Sequence, residues 1–144
     1  MDRKTGVGLL VARVGIGTIF LASGLGKLAA WSGTAAFAGS RGVPEVLLAV
    51  ATALEFAGGL SLFLGWKTRL GAVALLAFLV PVTLVFHAFW AMPAAEAEMI
   101  QFLKNLSIAG GVVAIFAAGP GALSLDALRD RGRARGGVPV RVAA

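Results

Sequence analysis

Cysteine is absent from this chain of 144 residues. That excludes a CxxC dithiol relay, structural disulfides and thiolate metal sites within it. There is one histidine, His87, so a single chain cannot assemble a bis-histidine haem or a histidine-rich metal centre. No metal site is expected. Charge is also scarce. Only 14% of the residues are Asp, Glu, Lys or Arg, against 58% hydrophobic, and the mean hydropathy is +0.89. A water-soluble domain this small lacks the interior to hide that much apolar surface. Most of the chain is therefore expected in lipid, as a single domain. The 20 glycines suit that setting, because glycine lets membrane helices approach closely.

The charge that remains is mostly positive, +6 net. It does not read as a nucleic-acid surface. Arg129, Arg131, Arg133, Arg135 and Arg141 fall in a tail after the last apolar segment, where basic residues set topology or touch anionic headgroups. The expected partners are the lipid bilayer and no nucleic acid.

Four apolar stretches cover residues 7–31, 44–66, 70–90 and 102–118. Each is roughly 17–25 residues, enough to cross a bilayer core as a helix. Polar or breaker-rich connections separate them: Ser32-Gly33, Gly39-Ser40-Arg41-Gly42, Lys67-Thr68-Arg69, and Met92-Pro93 through Gln101. The fold class is all-α, a four-transmembrane-helix bundle. Residues 1–128 form that domain and 129–144 a flexible basic tail. Arg3, Lys4, Lys67, Arg69 and the tail arginines put both termini and the second loop in the cytoplasm by the positive-inside rule. Trp31, Trp66 and Trp90 mark helix ends at the interface. A cleaved signal peptide is the alternative for the first span, but the run is long for one and Arg13 interrupts it.

Two packing signals follow. Small residues recur every four positions: Ala49, Ala53, Ala57 and Ser61 on the second span, Gly110, Ala114 and Ala118 on the fourth, and Ala22 and Gly26 on the first. Such stripes are expected to pack the bundle internally, with homo-oligomer contact as the alternative. Pro81 interrupts the third span and should bend it, with Thr83 placed to help satisfy the freed carbonyls.

The informative residues are ionisable ones inside the spans, where charge is expensive and normally turned inward to a partner. These are Arg13, Lys27, Glu55, His87 and Lys104, with Asn105 beside the last. Arg13, Gly17, Phe20, Gly24 and Lys27 share one helical face. Thr83, His87 and Trp90 should share another. Lys27, Glu55, His87 and Lys104 are expected to line a polar pocket in the outer half of the bundle, used for ligand binding or proton handling. Glu55 is the counter-charge for Arg13 or Lys27. The structural alternative is an Arg13–Glu55 pair, with the lysines and His87 at the interface.

These residues also carry a family resemblance. Arg13-Val14-Gly15, Phe20, Gly24 to Lys27, Glu55-Phe56-Ala57-Gly58-Gly59, Gly65 to Thr68-Arg69, His87-Ala88-Phe89-Trp90, Lys104-Asn105-Leu106, and Gly119-Pro120-Gly121 to Ser124-Leu125-Asp126 together resemble the DoxX family of small bacterial membrane proteins. The likeness covers about residues 7 to 128. It implies a four-helix protein of the bacterial inner membrane. It also implies a link to membrane oxidoreductase complexes, sulfur-compound and quinone oxidoreduction, and thiol stress. A quinone is then the candidate ligand and an oxidoreductase subunit the candidate partner. No self-contained catalytic site is recognised. The competing readings are a scaffold for a partner protein and small-solute permeation.

Overall fold

The computed structural model describes residues 3–91 and 95–136. The Met92-Pro93 breaker and the tail from 137 onward, Arg141 included, lie outside the described residues. Helices α1 (Arg3–Ala29), α3 (Glu45–Leu64), α4 (Thr68–Phe86) and α5 (Ala95–Ala118) form the bundle. With the turn after α4 included, each is long and apolar enough to cross a membrane. Helix α2 (Trp31–Ser40) is short, and α6 (Leu125–Gly136) is polar. The bundle closes as a ring, α1 against α3, α3 against α4, α4 against α5, and α5 back against α1. Its outer surface is apolar: Val46, Leu70, Val73, Leu103 and Leu106 are all more than half or nearly half exposed. Lipid is the solvent that makes such a surface stable.

The interior is built by glycine and a few large side chains. The buried face of α1 is Gly6, Arg13, Gly17, Phe20 and Gly24, the face marked out by periodicity. On α3 it includes Leu48, Thr52, Glu55, Gly58, Gly59 and Leu62. A side chain at Gly17 would put its Cβ 2.8 Å from the Gly59 carbonyl oxygen, so the two backbones cross in near contact there. Leu62, Ala72, Leu75, Val112 and Ile115 fill the remaining centre.

The small-residue stripes do not do this work. Ala49, Ala53 and Ala57, Gly110, Ala114 and Ala118, and Ala22 and Gly26 are all exposed, with only Ser61 buried. The interior is chosen by where the polar residues must go, and the expected stripes are rotated away from it.

Several boundaries also differ from expectation. The first connection contains α2 rather than an irregular loop. Helix α4 ends at Phe86, so His87 is its C-cap residue, and Trp90 follows in a 3-10 turn (Phe89–Ala91). These two are therefore not on one helical face with Thr83. Helix α5 begins at Ala95, which brings Glu96 and Glu98 into its first turn. Carboxylates there sit against the positive end of the helix dipole. Helix α6 starts at Leu125 and runs to Gly136, across residues 128 and 129. Pro81 leaves the Ala77 carbonyl without its usual donor, while the Thr83 hydroxyl donates instead to the Leu79 carbonyl at 2.6 Å.

Candidate functional site

The sequence-predicted residues separate into two places. Arg13 occupies one end of the bundle and is fully buried. Its Nη1 donates to the Leu62 carbonyl at 3.0 Å and its Nη2 to the Leu123 carbonyl at 2.5 Å. Among the described residues its Nε–H has no partner. Glu55 is not its counter-charge. Its hydrogen-bond acceptors are carbonyls at the C-terminal end of α3 and in the loop before α6, and the Asp126 carboxylate adds a charge–charge attraction without a hydrogen bond. Gly65 closes α3 in a left-handed turn (φ +67°), with the Gly65 N–H on Leu62 and the Trp66 N–H on Ser61. A Cβ on Gly65 would strike the Arg13 guanidinium. Glycine is thus required twice there, for conformation and for room.

Asp126 completes this end. Its carboxylate accepts from the Lys67 N–H (2.8 Å), the Thr68 N–H (3.0 Å) and the Thr68 hydroxyl (3.1 Å), capping the start of α4 from the start of α6. Burial pushes the Asp126 carboxyl up. The Thr68 and Lys67 N–H groups, the Thr68 hydroxyl and the Arg129 charge outweigh it and hold the group below its ordinary range. Asp126 is a residue that the site reading missed. It appeared only as part of a family motif, because its partners lie far away in sequence.

The other residues meet at the opposite end. A cavity of about 550 Å³ is lined by Lys27, Glu55, His87, Lys104 and Asn105, within largely apolar walls that include Phe20, Phe78, Leu79 and Pro81. Glu55 is 1% exposed. Its two oxygens accept from the Lys27 ammonium at 3.0 and 2.7 Å, and Lys27 also donates to the Ser23 hydroxyl at 2.7 Å. Lys27 Nζ lies 5.6 Å from the centre of the Phe78 ring, a cation–π approach that adds to the pair. The antiparallel course of α1 and α3 brings a residue near the end of one helix level with a carboxylate in the middle of the other.

His87 Nδ1 is 2.7 Å from a Glu98 oxygen, linking the end of α4 to the start of α5. Glu98 was assigned to a loop by the sequence, and no spacing rule pointed to it. The buried Asn105 donates to the Thr83 hydroxyl at 3.0 Å. Helix α2 flanks this end, its Phe37 ring stacked on Phe86 with centres 5.6 Å apart. Among the described residues no group of three or more His, Asp or Glu is placed to hold a metal ion. The volume lies within the roughly 300–1,000 Å³ typical of small-molecule sites. Apolar walls with a few polar groups suit an amphiphile with one polar head.

Comparison with known proteins shows the family. A family model described as DoxX matches residues 8–88. The chain is 34% identical over 131 residues to "Inner membrane protein YqjF" of Escherichia coli, covering 91% of this chain and 98% of that one. It is 35% identical over 122 residues to "Inner membrane protein YphA" of the same organism, covering 82% and 87%. A third relative, "Putative oxidoreductase CatD" of Bacillus subtilis, is 31% identical over 140 residues, covering 96% and 98%. No solved structure matches.

Proposed function

The chain belongs to the DoxX family of membrane proteins, and on that premise we propose that it serves a membrane oxidoreductase system as a subunit without a prosthetic group, holding a quinone-like ligand in its cavity. The bacterial inner membrane is the setting that its relatives' names suggest. The positive-inside rule turns both termini, with Arg13 and Asp126, toward the cytoplasm. The cavity then opens in the outer half of the bilayer. A quinone takes up electrons and protons together, and the electrons come here from a partner subunit.

The observation that carries the reading is the Lys27–Glu55 pair, buried on the Glu55 side and set in the wall of an apolar cavity. An ion pair kept only for stability is a poor use of a membrane interior, since desolvation offsets most of its attraction. Lined up against a ligand, the same pair supplies a hydrogen-bond donor and a proton acceptor. Lys27 and Asn105 orient a carbonyl head, and Glu55 exchanges its proton. His87, at the rim with Glu98, connects that position to the aqueous phase. The test is binding of a decyl-substituted benzoquinone to the protein in nanodiscs, read by quenching of tryptophan fluorescence. Wild type should bind, and Glu55→Gln and His87→Ala should lose binding while remaining inserted and helical. Undiminished binding in both variants rejects the reading.

A second reading concerns partners. The exposed stripes Ala49-Ala53-Ala57 and Gly110-Ala114-Ala118 offer the close-packing surface that a scaffold needs. A partner subunit or a second copy of the chain would seat there. Ala114→Leu should then strip a co-purifying polypeptide, or dissociate a dimer, without touching quinone binding. The third reading, solute permeation, predicts flux into proteoliposomes; the packed core of Phe20, Leu62, Leu75 and Phe78 does not favour it.

A further inference from the structure

The charged groups around the cavity do not balance. Lys27 is matched by Glu55, and His87 faces Glu98. Asn105 is bonded to Thr83. Lys104 lines the same cavity and, among the described residues, has neither a carboxylate within 4 Å nor a hydrogen-bond partner. The neighbouring Asn105 is tied to Thr83, one helical turn before His87, and Lys104 beside it is exposed while also lining the cavity. Every lining carboxylate is already engaged, and the one surplus charge is an ammonium beside an apolar chamber.

We infer that the cavity's ligand is an amphiphile with a single anionic head, a weak acid ionised at neutral pH, whose head pairs with Lys104 while its apolar body fills the space against Phe20, Phe78 and Leu79. The inference rests on the reading above that the cavity holds an amphiphile, and it differs from the neutral quinone in the charge of the head. A carboxylate or an ionised enol pairs with Lys104 through a charge-assisted hydrogen bond, stronger than one between neutral groups. A neutral head leaves that ammonium uncompensated. The same chemistry is offered by a free lipophilic acid and by the headgroup of an anionic phospholipid.

The test compares heads on one tail. Decanoate and decan-1-ol are titrated against the protein in nanodiscs of phosphatidylcholine, each as a competitor of the decyl-substituted benzoquinone. Decanoate should bind about tenfold or more tightly than decanol, the worth of one charge-assisted bond. Lys104→Gln should erase that preference and leave decanol binding as it was; Lys104→Arg should keep it. Equal affinities in wild type, or a preference that survives Lys104→Gln, overturns the inference and leaves the pocket reading standing if the quinone still binds. Binding by none of the three overturns both. Replacing part of the phosphatidylcholine with phosphatidylglycerol separates the sources. A headgroup in the site weakens decanoate binding in wild type but not in Lys104→Gln, whereas a free acid as the natural ligand predicts no weakening in either.

Discussion

Arg13 and Lys27 lie on one face of one helix, Arg13 in its first half and Lys27 near its end, and the protein neutralises them in different ways. Arg13 is surrounded by backbone carbonyls, a glycine turn and the loop that leads into α6. No space remains beside it. Lys27 meets a carboxylate directly in the wall of a cavity, and its side chain keeps 25% of its exposure. Carbonyl dipoles are fixed by the fold and cannot change protonation state. A carboxylate can, and it can also exchange partners. The closed end has the makeup of a structural clamp, and the cavity end has the groups that the proposed ligand site requires. A buried cation in a membrane helix does not reveal its role by burial; the nature of its counter-charge does.

The sharpest way to break this contrast is Arg13→Met. It leaves the Leu62 and Leu123 carbonyls without their donor and should cost about 3 kcal/mol or more, read by denaturant unfolding in mild detergent. Ligand binding should fall only to the extent that folded protein is lost. A fully stable Arg13→Met variant with impaired binding would reverse the assignment of the two ends. Gly17→Val probes the middle of the bundle. Its Cβ would press on the Gly59 and Phe63 backbones and should destabilise by about 1–3 kcal/mol, measured in the same assay.

At the cavity end the expectation inverts. Glu55→Gln should change stability by no more than about 1–2 kcal/mol, because Lys27 retains Ser23 and reaches solvent, yet it should abolish quinone binding. Large destabilisation there would make the pair a structural strut like Arg13. The smallest effect expected is from Asp126→Asn, about 1 kcal/mol. This variant has a pH signature. Because the folded Asp126 carboxyl titrates below its ordinary value, its contribution is complete above about pH 3.9 and is lost as pH falls through the lowered folded value. Stability measured downward from pH 5 should fall in wild type and flatten in Asp126→Asn.

How much of this was legible in the sequence differs by level. The spans were readable because lipid imposes a one-dimensional rule of length and apolarity. The face of α1 was readable because Arg13, Gly17, Phe20, Gly24 and Lys27 repeat at helical spacing. The stripes misled, because small residues favour close approach without saying which neighbour approaches. The start of α5 was misplaced because Glu96 and Glu98 read as loop residues, although carboxylates also favour the first turn of a helix.

The sequence by itself determined that this chain lives in a membrane as a bundle of helices, and that its few buried charges must turn inward. Hydropathy and helical periodicity are local properties, and they leave no other arrangement. Only the tertiary structure decided which charge meets which. The stagger and rotation of antiparallel helices place Glu55 at Lys27, Glu98 at His87 and two carbonyls at Arg13, and they leave Lys104 alone on the cavity wall. Those pairings depend on contacts between residues far apart in the chain, whose distances no local pattern encodes.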